Sequence, residues 1–218
     1  MMLPKHPAKY TDTMIPVFAK LLKGRKAVLD PMAGTGKLSL IRKYGFAGKV
    51  FCNDIENDWI DPKYGVAMWT TCDAAALPYP DKHFDAICTS PTYGNRFADK
   101  YSPDATWTHM GYSHSLKRSL HPANTGQMQW GDDYRSKHEQ IYRECVRVLR
   151  SGGLFIVNIS NHIRGGKEIF AVEWHCETLI SLGLTFLLDR TISTPRMCRG
   201  KNREVRVTHE HILVLEKP

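Results

Sequence analysis

The chain has 218 residues, 42% apolar and 24% charged, and its 30 basic against 22 acidic side chains leave a net charge of +8. This is ordinary globular composition, which excludes disorder as the default and suits one domain with a sizeable core. No apolar stretch approaches the ~20 residues of a membrane-spanning helix, and Met1 to His6 carry no secretory pattern. The expectation is a soluble, cytoplasmic protein with no membrane partner. Cys52, Cys72, Cys88, Cys145, Cys176 and Cys198 are scattered without a C-x-x-C pair, so neither a disulfide framework nor a metal site is expected. The cationic excess favours a polyanionic partner.

In chain order, Met14, Ile15, Val17, Phe18, Leu21 and Leu22 recur at helical spacing, with Gly24 as the stop. Ala27 to Leu29 form a short apolar strand ending at Asp30, and a glycine turn leads to helical periodicity over Leu38 to Tyr44. Lys49 to Asn53, Val66 to Trp69 and His83 to Cys88 are the next strands. Tyr134, His138, Ile141, Tyr142, Cys145, Val148 and Leu149 mark one face of a long helix, which Gly152-Gly153 is expected to end before the strand Leu154 to Ile159. Ile169, Val172, Cys176, Leu179 and Ile180 mark another helix. Leu184 to Leu188 and Val205 to Leu215 are final strands joined without a helix, hence an antiparallel hairpin. This alternation predicts an α/β domain on a mostly parallel sheet. One domain over residues 1–218 is expected, with a long insertion at about 94–131 that touches substrate.

Between the first strand and the next helix stands Asp30-Pro31-Met32-Ala33-Gly34-Thr35-Gly36. Glycines there let the backbone approach a ligand where a side chain would collide. A Walker phosphate loop fails, because Pro31 stands where it needs glycine and Leu38 where it needs Ser or Thr. The dinucleotide fingerprint fits only in part, since Ser39 holds the third glycine position. Asp54 closes the second strand, where a carboxylate can accept both ribose hydroxyls, and Asp73 follows the third, placed to meet an adenine edge. Three acids closing successive strands would outline one nucleoside-shaped crevice.

These residues resemble the motifs of class I S-adenosylmethionine-dependent methyltransferases. The resemblance implies a Rossmann-like fold: a seven-stranded, mostly parallel sheet with an antiparallel C-terminal hairpin strand and helices on both faces. It implies S-adenosylmethionine as cofactor, held by Tyr10, Thr11, Asp30, Pro31, Gly34, Gly36, Asp54, Ile55, Asp73, Ala74 and Ser90. The segment His6 to Thr11 is similar to the element that lies over the methionine end of the cofactor in the amino-methyltransferase branch.

Thr89-Ser90-Pro91-Thr92-Tyr93-Gly94 follows the fourth strand and resembles the (Asp/Asn/Ser)-Pro-Pro-(Tyr/Phe) signature of enzymes that methylate planar amino groups. Such an amine is a poor nucleophile, because its lone pair is delocalised. Acceptors aimed at its N–H groups favour the pyramidal form; the Ser90 hydroxyl and Pro91 carbonyl are the candidates, with Tyr93 stacking on the base. Thr92 departs from the signature at the second proline. Arg196-Met197-Cys198-Arg199-Gly200-Lys201-Asn202-Arg203 followed by Glu210-His211-Ile212-Leu213-Val214 resembles the tail of small stand-alone methylases of phage and bacterial genomes, and the resemblance implies a DNA base as acceptor, cytosine-N4 before adenine-N6 because serine opens the motif. Alternatives are guanine-N2 of RNA, a protein glutamine, or a degenerate fold that only binds nucleic acid.

Cations and aromatic rings of the insertion, Asn95, Arg96, Lys100, Arg118 and Trp130, and of the basic loop between the last strands, Arg196, Arg199 and Arg203, are the expected nucleic-acid contacts. DNA is favoured over RNA as partner, and a homodimer is left open.

Overall fold

The computed structural model describes residues 4, 6–8, 10–94, 111–194 and 205–218. Its strands are β1 (Ala27–Asp30), β2 (Lys49–Asn53), β3 (Met68–Thr70), β4 (Phe84–Thr89), β5 (Leu149–Ile159), β6 (His162–Arg164), β7 (Lys167–Ile169), β8 (Thr185–Ser193) and β9 (His209–Glu216). The α-helices are α1 (Met14–Leu21), α2 (Tyr112–Leu116), α3 (Asp132–Val148) and α4 (Ala171–Ser181), and Lys37–Tyr44 winds as a 3-10 helix. One sheet runs β3-β2-β1-β4-β5-β9-β8, while β6 and β7 make a separate small hairpin. Strands β1 to β5 pair in parallel; β9 enters antiparallel to both β5 and β8. The expected seven-stranded architecture with its reversed strand is the observed one.

Strand alternation explains why both faces are covered. Val28, Ala86, Cys88, Leu154, Ile156, Ile212 and Val214 point to one face, where α1 and the 3-10 helix bury Phe18, Leu22, Leu38 and Ile41. Their neighbours Leu29, Ile87, Phe155, Val157, Leu213 and Leu215 point to the other, under Ile141, Cys145 and Val148 of α3 and Val172 and Leu179 of α4. Each central strand therefore reads as continuously apolar, because neither face meets water.

Some boundaries differ from the periodicity. Helix α3 stops at Val148 rather than at the glycines, because Leu149 already adopts extended geometry and pairs with Phe84 across β4. Gly152 and Gly153 lie inside β5, their backbone bonded to Lys217. Ile169 belongs to β7, and α4 begins only at Ala171. Strand β8 runs on to Ser193, since β9 pairs with it over that whole length. Helix α2 and the β6–β7 hairpin have no counterpart in the sequence expectation. Both are too short to show a period.

Candidate active site

Beyond the carboxyl ends of β1, β2 and β4 opens a cavity of about 310 Å³, the size of a small-molecule site. Of the expected cofactor residues, Tyr10, Thr11, Pro31, Gly34, Asp54, Ile55, Asp73, Ala74 and Ser90 line it. The expected catalytic residues Ser90, Pro91 and Tyr93 line the same space. Residues brought together from strands far apart in the chain thus share one pocket.

Two expected cofactor residues stand back from the wall. Asp30 is fully buried; its carboxylate accepts from the Tyr10 hydroxyl (3.0 Å) and the Met32 amide (3.3 Å). Burial pushes its acid up to about 7. Asp30 thus anchors Tyr10, which lines the cavity, instead of closing the crevice itself. Gly36 adopts φ +76°, and a Cβ there would come within 2.3 Å of the Val66 side chain. Its glycine serves the turn and the packing, not a direct approach to ligand. Gly34 is different, because it lines the cavity at φ +53° and a Cβ there would stand 3.0 Å from His6 Nε2.

At this end the polar groups are oriented by the main chain. Asp54 accepts the Gly34 amide (2.8 Å) on one oxygen and the Glu56 amide (2.9 Å) on the other. Each carboxylate oxygen keeps a second acceptor site, as a ribose diol requires. Burial raises the Asp54 acid to about 6 despite those two bonds. Asp73 accepts the Ala75 amide (3.0 Å) and pairs with Lys137 (2.5 Å). Lys37, nearly buried, ties the N-terminal segment down through the Tyr10 carbonyl and Asp12, each at 2.6 Å. His6 packs edge-on against Trp59 and Tyr112, closing the wall over Gly34.

At the other end the Ser90–Tyr93 loop meets groups that the sequence reading missed. Asn158, on β5, directs its Nδ2 toward Glu210 Oε2 (2.8 Å), Tyr93 Oη (3.2 Å) and Ser90 Oγ (3.3 Å). The Tyr93 hydroxyl donates to Glu210 Oε2 at 3.1 Å. Asn158 and Glu210 both line the cavity and are buried, and Asn158 Oδ1 has no hydrogen-bond partner among the described residues. Both left a faint sequence signal. Asn158 interrupts the apolar run of β5, and Glu210 continues the buried face of Ile212 and Val214.

The loop's missing second proline is compensated by tertiary bonds. The Thr92 hydroxyl donates to Thr125 Oγ1 (2.9 Å), and its carbonyl accepts the Tyr134 hydroxyl. Tyr134 is itself held against His175 Nε2 (3.0 Å), whose Nδ1 meets the Tyr142 hydroxyl (2.6 Å). Burial keeps His175 well below its ordinary pKa, so the ring is neutral and can accept. His175 of α4 therefore braces the loop from behind, through Tyr134.

The described part of the insertion contributes Tyr112, Ala123, Asn124 and Thr125 to the wall. Arg118 does not line the cavity; its guanidinium pairs with buried Glu56 (2.6 Å) and with Asp58 (2.5 Å). Glu56 also accepts the His121 amide (2.6 Å), so this cluster clasps the insertion to the end of β2. Trp130 packs among Tyr134, His162 and Trp174, and its backbone bonds Gly94 (2.9 Å). Asn95, Arg96, Lys100, Arg196, Arg199 and Arg203 lie outside the described residues. Among those described, no cluster of His, Cys, Asp and Glu is arranged to hold a metal ion, and no helix is long and apolar enough to cross a membrane.

No family model matches the sequence, and no curated protein does. Solved structures do match in fold. The [4+2]-cyclase SpnF superposes with a TM-score of 0.61 at 17% identity, over 98% of this chain and 84% of that one. A S-adenosylmethionine-dependent methyltransferase from Methanosarcina mazei gives 0.56 at 13% identity, over 93% and 97%. The 1,6-didemethyltoxoflavin-N1-methyltransferase of Burkholderia thailandensis, solved with S-adenosylhomocysteine bound, gives 0.52 at 15% identity, over 93% and 76%. The cyclase in this group shows that such a fold does not dictate one reaction. The chain therefore has the Rossmann-like fold of S-adenosylmethionine-dependent methyltransferases.

Proposed function

We propose that the chain transfers a methyl group from S-adenosylmethionine to the exocyclic amino group of a DNA base, cytosine-N4 before adenine-N6. The observation that carries this reading is one shared cavity, walled by Gly34, Asp54 and Asp73 at one end and by Ser90, Pro91 and Tyr93 at the other. The residues present suit the cofactor: Gly34 lines the cavity without a side chain of its own, and Asp54 retains acceptor capacity for a ribose diol. When bound, the cofactor supplies an activated methyl group on a sulfonium.

The chain's own residues then align and activate the acceptor. Ser90 Oγ and the Pro91 carbonyl accept from the amino group, which weakens delocalisation of its lone pair. Asn158 Nδ2, within reach of Ser90 Oγ and Tyr93 Oη, helps to fix where those two hydroxyls stand. Tyr93 is fixed through its hydroxyl, leaving its ring to pack on a planar acceptor.

Incubation with methyl-labelled cofactor and unmodified DNA, followed by nucleoside analysis, tests the proposal. Labelled N4-methyldeoxycytidine is the expected product. Label found only in RNA or in the protein would overturn the choice of acceptor, and cofactor binding without any transfer would overturn the reaction.

A further inference from the structure

Glu210 belongs to neither sequence motif, yet it stands at the acceptor end of the cavity. It is 8% exposed, and its Oε2 receives both the Tyr93 hydroxyl (3.1 Å) and Asn158 Nδ2 (2.8 Å). Strand β9 explains how it arrives there. Because β9 runs against its neighbours, its second residue lies at the edge where the parallel strands end.

A neutral amine that gains a methyl group carries one proton too many. On a planar, conjugated amine that proton is strongly acidic, and in a closed pocket it needs an acceptor able to keep it. The Ser90 and Tyr93 hydroxyls can relay a proton but not hold it, and the Pro91 carbonyl cannot hold it either. Asp54, Asp73 and Glu210 are the carboxylates lining the cavity among the described residues. Asp54 and Asp73 stand at the opposite end, where Asp54 keeps its remaining acceptor sites for a ribose diol and Asp73 pairs with Lys137. Of the other titratable side chains there, His6 packs over Gly34, and Lys37 is bound to the Tyr10 carbonyl and Asp12. Of these three carboxylates it is Glu210 whose bond to Tyr93 of the Ser90–Tyr93 loop the described residues show.

We propose that Glu210 is a catalytic residue whose carboxylate takes the proton released by the acceptor amine. This rests on the amino-methyltransferase reading above. The step balances. The amine lone pair forms the N–C bond, and the C–S bond breaks with its electron pair left on sulfur. An N–H bond breaks with its pair left on nitrogen, and the proton forms an O–H bond on Glu210. A positive sulfur and a negative carboxylate become two neutral groups, so no net charge is stranded in the pocket. Solvent takes the proton when product leaves.

Single-turnover methyl transfer to a cytosine-containing oligonucleotide, compared between wild type and Glu210→Gln, is the test. The glutamine keeps an acceptor for Tyr93 and Asn158 but cannot take a proton. Its rate should fall about 100-fold. Calorimetric affinity for S-adenosylhomocysteine, and anisotropy-measured affinity for the oligonucleotide, should stay within about threefold of wild type. Glu210→Ala should be as slow, and added formate should restore at least about tenfold of its rate. A Glu210→Gln rate within threefold of wild type overturns the inference alone. So does a cofactor-binding Glu210→Ala that formate fails to rescue, and this pair decides the matter if the glutamine variant does not fold. A wild type that transfers to no amine removes the functional reading and the inference together.

Discussion

At the Asp54 end of the cavity, the carboxylates are held mainly by main-chain groups close by in sequence or on adjacent strand ends, with Asp73 also pairing with Lys137 of α3. Asp54 takes the amides of Gly34 and Glu56, and Asp73 takes that of Ala75. At the Ser90 end, side chains are held by other side chains far away in the chain. Tyr93 reaches Glu210, Asn158 reaches Ser90, and Tyr134 and Thr125 brace Thr92. The first end follows from strand–turn geometry that any sheet of this order provides. The second depends on how β5, β9, α3 and the insertion meet. A fold shared with proteins of differing reactions is expected to keep the first kind of construction and vary the second.

The largest expected effect strikes the scaffold of the Asp54 end. Gly36→Ala places a Cβ against Val66 at positive φ, which should cost roughly 3 kcal/mol. The melting temperature should fall by ~6–12 °C. Adding Val66→Ala should recover part of that loss, since it removes the clash but not the backbone strain.

Asp54→Asn sharpens the contrast by acting on affinity. With the ionised acceptor gone, the calorimetric dissociation constant for S-adenosylmethionine should rise about 10- to 100-fold. The wild type should show the matching pH dependence, because Asp54 protonates at about 6 and affinity should weaken as pH falls through that value. The sign for stability is opposite. Burial raises Asp54 to about 6 and Asp30 to about 7, above their ordinary values. Their stabilising contribution to the cofactor-free protein is full below about pH 4 and lost as pH rises through about 6 and 7. Melting curves across that window, with and without cofactor, test both signs.

Tyr134→Phe probes the other end. It removes the donor to the Thr92 carbonyl and the hydroxyl facing His175 while keeping the ring. Turnover should fall about tenfold with cofactor affinity unchanged, because a slightly displaced loop misaligns the acceptor only. An equal loss of affinity would break the distinction between the two ends.

The smallest effect is expected where the ends are clasped together. Arg118→Ala leaves buried Glu56 without its guanidinium partner. With the arginine 43% exposed, solvent screening limits the cost to about 1 kcal/mol, a fall of ~2–4 °C in melting temperature.

The sheet was legible in the sequence because its central strands carry short apolar runs closed by turn signals, and helices of 11 and 17 residues show their period. The Asp54 end was legible for the same reason: an acid just after a strand must emerge at the sheet's carboxyl edge. Local pattern could not separate Asp30 and Gly36, which support the cavity from behind, from Asp54 and Gly34, which line it. That difference is decided by the packing of Tyr10 and Val66.

What the sequence determined by itself was local: where strands stop, where glycine permits positive φ, and which loop carries Ser90 and Tyr93. What only the tertiary structure decided was pairwise. Glu210 stands 52 positions from Asn158 and 117 from Tyr93, and it meets them only because the reversed β9 lies beside β5. Hydrophobic periodicity records which face of a strand is buried. It does not record which strands become neighbours, and it is neighbours that bring a carboxylate to a hydroxyl.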